Sequence, residues 1–74
     1  MNKKRRDGIQ KVAQDLITCK DMLQNYLDEE EEYYDNMPEN LQGSMRGTDA
    51  EEAIDTIEEV IESLDTVIDQ LENL

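Results

Sequence analysis

The chain has no histidine, tryptophan or phenylalanine, and only one cysteine, one proline and three glycines in 74 residues. Each shortage removes a class of chemistry. Without histidine there is no imidazole to serve as general base, to complete a Ser-His or Cys-His pair, or to ligate zinc. A single cysteine, Cys19, excludes an intramolecular disulfide and a thiolate metal site, and it fits a reducing compartment. Neither G-x-x-x-x-G-K-[ST] nor G-x-G-x-x-G occurs, so no phosphate-binding loop is encoded, and there is no D-x-D-x-D-G calcium loop. Long apolar runs are missing too; nothing approaches the roughly 20 residues of a membrane span. The opening MNKKRR resembles the start of a signal peptide, but Asp7, Gln10, Lys11, Gln14 and Asp15 break up the apolar segment that should follow. The expectation is a cytoplasmic, non-enzymatic chain with no cofactor and no metal.

Bases are the next shortage. Seven Lys and Arg face twenty Asp and Glu, for a net charge of −13. Residues 1–27 hold six of the bases and three acids; residues 49–74 hold ten acids and no base. Phosphate binding needs clustered cations, so direct nucleic-acid binding by the body of the protein is disfavoured, as is docking on an anionic membrane. A basic protein partner is favoured.

Apolar periodicity is abundant. From Ala53 the chain reads AIDTIEE, VIESLDT, VIDQLEN, L, a seven-residue repeat. Three apolar rows run through it: Ala50, Ile57, Leu64 and Leu71; Ala53, Val60, Val67 and Leu74; and Ile54, Ile61 and Ile68. This predicts a helix over about 48–73. Thr48 and Glu51 have the spacing of a capping box, and Asp49, Glu51 and Glu52 suit the positive end of the dipole. A start at Ser44 is the alternative; Gly47 would then be an interior residue where another stretch of chain comes close.

The first half repeats the pattern through Ile9, Val12, Leu16, Cys19, Leu23, Tyr26, Tyr33 and Met37, with Glu30 as the one interruption and Ala13, Leu27 and Tyr34 as flanks. It predicts a helix over about 7–35, ended by Pro38, which forces Met37 out of helical geometry. The connection is expected over about 36–47, with Leu41 as an apolar plug and Gly43 as a turn residue. The expected fold is all-α: an antiparallel helical hairpin with arms of roughly 40 Å. Antiparallel packing sets Lys3 to Arg6 beside Asp69 and Glu72, so the basic run is expected to pair there, with contact to nucleic acid as the alternative. A hairpin seam consumes two apolar rows. The isoleucine row is then left half exposed, and burying each of its members fully would be worth roughly 1.5–3 kcal/mol. Dimerisation into a four-helix bundle through Ile54, Ile57, Ile61, Leu64, Ile68 and Leu71 is therefore expected, or else docking of that stripe on a partner.

Three features are candidates for function. Asp28, Glu29, Glu30, Glu31, Glu32 and Asp35 crowd the end of the first helix, where each opposes the dipole by about 0.3–1 kcal/mol. With Tyr33 and Tyr34 they form a candidate docking surface; a solubilising end, with at least two tyrosines serving as packing, is the plainer alternative. Glu58-Glu59-x-x-Glu62 has the E-E-x-x-E form that holds magnesium in helical nucleotide pyrophosphohydrolases, yet twenty acids make such a match by chance. Arg46, the one base after Lys20, is expected to pair with Glu31, Glu32 or Glu39, or else to meet a phosphate. Cys19 is read as a buried small hydrophobe.

The run EEEYYDNMPENLQGS, followed by AEEAIDTIEEVIESL, resembles a family of small acidic helical proteins of phages, prophages and their bacterial hosts. Its pattern is acids, a tyrosine, then N-[MI]-P-E-N-L-Q, matched by Asn36, Met37, Pro38, Glu39, Asn40, Leu41 and Gln42; the likeness covers about residues 27–65. It implies a mobile-element setting and a helical hairpin, and brings no functional residues with it. The MRGTD segment departs from the family pattern, in which a more helical sequence follows Ser44. The leading functional expectation is an inhibitor that occupies a basic, nucleic-acid-binding or defence protein of the host by mimicking DNA. The alternatives are a dimeric sponge for a nucleotide signal and a structural assembly module.

Overall fold

The computed structural model describes all residues 1–74. The chain is helical nearly throughout, in the order α1 (Lys3–Asp35), α2 (Glu39–Gln42) and α3 (Met45–Glu72). The two long helices lie side by side in a rod of 58 × 15 × 13 Å. No strand forms, and no helix is long and apolar enough to cross a membrane.

Helix α1 begins at Lys3, one turn before the expected start near Asp7. Asn2 is the reason: its side-chain oxygen accepts the Arg5 N–H at 2.8 Å, satisfying a free amide of the first turn. The basic run thus lies inside the helix. Both ends of α1 now carry the charge that its dipole disfavours, bases at the N-terminus and acids at the C-terminus.

The connection is folded. Pro38 starts the single turn of α2, whose carbonyl accepts from Leu41 N–H (2.8 Å) and Gln42 N–H (3.1 Å). Gln42 then reaches back, its side-chain amide donating to the carbonyls of Tyr34 (3.2 Å) and Met37 (3.3 Å). The Met37 carbonyl gains a donor in this way, while the Tyr34 carbonyl already accepts from the Met37 N–H at 3.1 Å. Gly43 sits at φ −84, ψ 0, a conformation open to any residue, so no left-handed turn is used.

Helix α3 begins at Met45 with Ser44 in the cap position, so the capping box at Thr48 does not form. The Thr48 amide instead donates to the Ser44 carbonyl at 2.9 Å, an ordinary intrahelical bond. Gly47 is interior and buried, as the earlier start requires. The chain pressed on it is α2: a Cβ there would lie 2.0 Å from the Gln42 carbonyl oxygen.

The register follows from two cross-helix contacts. Lys20 meets Asp65 at 2.7 Å, and the Tyr34 hydroxyl donates to the Glu51 carboxylate. Fourteen residues up α1 correspond to fourteen residues down α3, so the helices are antiparallel and in step. The apolar rows are used differently from expectation. The isoleucine row and the Ala50 row of α3 face α1, with Ala50 and Ile68 buried and Ile54, Ile57, Ile61, Leu64 and Leu71 half-buried. On α1 the packed positions include Ala13, Leu16, Leu23, Leu27 and Tyr34, with Met37 just beyond its end. The third row of each helix is left out: Val12, Cys19, Tyr26 and Tyr33 on α1, and Val60, Val67 and Leu74 on α3, are exposed. The larger isoleucines thus take the inner place. Cys19 is an exposed thiol and not a core residue, and two of the three tyrosines are exposed, Tyr26 by 60 %.

Candidate functional site

The tip of the hairpin gathers charge from three elements. Asp28 to Glu32 and Asp35 come from the last two turns of α1, Glu39 from α2, and Asp49, Glu51 and Glu52 from the first turns of α3. All of these are exposed except Glu30 and Glu31, which are half-buried. Glu30 occupies the row facing α3, which accounts for its interruption of the apolar spacing.

Tyr34 is tied down and Tyr33 is not. The Tyr34 hydroxyl donates to Glu51, and that bond to a carboxylate, aided by partial desolvation, raises its pKa above the ordinary tyrosine value of 10.0. Donation to a carboxylate favours the protonated phenol, which explains the direction. Tyr34 therefore links α1 to α3 and does not form part of a free surface. Tyr33 lies on the opposite edge, beside Arg46. These two residues border a pair of adjoining open concavities, one of about 550 Å³ floored by Met37, Pro38 and Leu41 and the other of about 390 Å³ against Ala50. Leu41 lines the larger of them and is not a buried plug.

The expected ion pairs of Arg46 with Glu31, Glu32 or Glu39 do not form; the chain has three ion pairs, and Arg46 is in none of them. The basic run is also not paired with the end of α3. Lys3 bonds Asp7 at 3.1 Å within its own helix, and Lys4, Arg5 and Arg6 have no acidic partner. For the basic run the register is the reason: with Lys20 level with Asp65, Glu72 is level with Ala13, so α3 ends about two turns short of Arg6. The single ion pair between the helices is Lys20 with Asp65, which raises the Lys20 pKa above 10.5 chiefly through that hydrogen bond. Its half-buried stem lies along the seam while the ammonium reaches the edge.

Only Asp7, Asp15 and Asp65 of the twenty acids are engaged in ion pairs, so the charge of the tip and of the α3 flank is uncompensated within the chain. The arrangement can attract a cationic surface and hold it by many weak contacts. No three acidic side chains, Glu58, Glu59 and Glu62 included, converge closely enough to hold a metal ion.

Sequence reasoning marked Gly47 as an interior glycine at a close approach but did not identify Gln42 as the residue that meets it. Their roles depend on a contact between α2 and its two neighbours, and the only signal available was a glycine inside a helical pattern. Compared with known proteins, the chain matches no family model, no curated protein and no solved structure.

Proposed function

We propose that this chain is a non-enzymatic accessory protein of a phage or other mobile element, acting in the host cytoplasm. In this reading its acidic surface occupies a basic site on a host protein, such as a nucleic-acid channel or a defence protein, and inhibits it. The observation that carries the reading is the unpaired negative charge, displayed on a rod 58 Å long. Such a surface presents carboxylates to arginines and lysines as a nucleic-acid backbone presents phosphates. The chain acts as a homodimer, a four-helix bundle, in the same proposal.

The test is affinity capture from host lysate at low and high salt. A basic partner retained at low salt and released at high salt is expected. Reversing Glu29 to Glu32 to lysine should abolish capture, as should reversing Glu58, Glu59 and Glu62; capture unchanged by both sets sinks the proposal.

Arg46 favours a second reading, capture of a nucleotide signal at the tip. It is a cation without an internal partner beside an open concavity. Glu29 and Glu32 line the same concavity and would repel a phosphate, so this reading ranks second. Thermal shift against a nucleotide panel separates the two, and no shift with any nucleotide removes the sponge.

A further inference from the structure

We infer that a second copy of this chain covers the exposed apolar edge of the hairpin and runs antiparallel to the first, so that the Lys4–Arg6 end of each copy lies against the acidic tip of the other. This rests on the dimer reading above and adds the face, the direction and the residues that meet.

The two unused apolar rows share one side. Lys20 and Tyr34 of α1 reach Asp65 and Glu51 of α3, which places one edge of the rod. Tyr33 and Arg46 together border the concavities on the other edge, and Arg46 continues the row of Val60 and Val67 at seven-residue spacing. Glu29, Glu30, Glu32 and Asp49 line the concavities at the tip, but below the tip α3 puts little charge on that side. The row of α3 bordering it reads Asp49, Thr56, Ser63, Gln70, so one of the ten acids of residues 49–74 lies there. A basic partner would find little to bind on such a surface. An apolar helical face would find much: two apolar rows suffice for a hairpin seam, while three are what a helix in a larger bundle carries.

The area points the same way. The chain exposes 5595 Å², against roughly 4,700 Å² for a compact monomer of its mass, an excess of about 900 Å². A standard interface removes about 800 Å² from each partner. No large side chain of the hairpin is fully buried.

Charge sets the direction. Helix α1 carries bases at its N-terminus and acids at its C-terminus, each against its own dipole. Arg5 and Glu32 are separated by 27 residues, about 40 Å of helix, and cannot meet within one chain. A reversed copy brings those ends together. A copy running the same way would set six acids of one tip against six of the other.

Light scattering with size exclusion is the first measurement, and a dimer is expected at roughly 100 μM, a concentration at which a micromolar Kd is saturated. The second uses C19S/N40C carrying one spin label at each tip, with helicity checked by circular dichroism. The expected label separation is most of the 58 Å rod length. The third is charge exchange: K4E/R5E/R6E weakens the dimer about tenfold, and adding E29K/E32K restores it. A monomer overturns both the dimer reading and this inference. A dimer with its tips close together, or without rescue, overturns the inference alone.

Discussion

The carbonyl of Gln42 rests on the bare α-carbon of Gly47, so closely that a Cβ would lie 2.0 Å from its oxygen and 2.5 Å from its carbon. The neighbour is backbone and cannot swing aside. Gly47→Ala must push α2 away from α3 and is expected to cost about 1–3 kcal/mol despite the better helix propensity of alanine. Gly8, interior to α1 with nothing within 4 Å of an added Cβ, is the control. Gly8→Ala should stabilise by about 0.5–1 kcal/mol. Urea unfolding of the two variants should therefore move in opposite directions.

Gln42 joins α2 to the end of α1 through its two side-chain hydrogen bonds. Gln42→Ala leaves both carbonyls without that donor and should cost about 1–2 kcal/mol in the same measurement. Asn40→Ala, two residues away and exposed, should be within about 0.5 kcal/mol of the parent.

Tyr34 and Lys20 both have raised pKa values, through Glu51 and Asp65 respectively. For a group raised in the folded state, the stability it contributes is complete below the unfolded pKa and is lost as pH rises through the folded one. The melting temperature should hold up to about pH 10 and fall above it. Tyr34→Phe should show a shallower fall, which thermal melts from pH 8 to 11 will register.

Neighbouring residues of α3 should respond differently. Ile68 is buried against α1 and Val67 is 40 % exposed. Ile68→Ala should cost about 2–4 kcal/mol and reduce helicity. Val67→Ser should keep helicity while lowering self-association in sedimentation equilibrium. Equal loss of helicity in both would contradict the assignment of inner and outer rows.

Much of this was legible in the sequence. The seven-residue spacing from Ala50 to Leu74 required a helix, because no strand places those residues on one side. Pro38 required α1 to stop, because a proline disfavours helical geometry in the residue before it. Other features were not legible. The cap at Asn2 has no apolar spacing to announce it, and the four bases that follow make a poor helix start by dipole reasoning. Three apolar rows cannot say which two form the seam, since any adjacent pair makes an acceptable stripe.

The sequence by itself determined two long amphipathic helices and the point where the chain turns, because these depend on local spacing and on proline stereochemistry. Only the tertiary structure decided that the isoleucine row turns inward, that Val12, Cys19, Tyr26, Val60 and Val67 are left outside, and that Gly47 receives Gln42. Those outcomes depend on the register between helices, set by Tyr34 with Glu51 and Lys20 with Asp65, contacts between residues 17 and 45 positions apart. Local periodicity carries no information about partners at that distance.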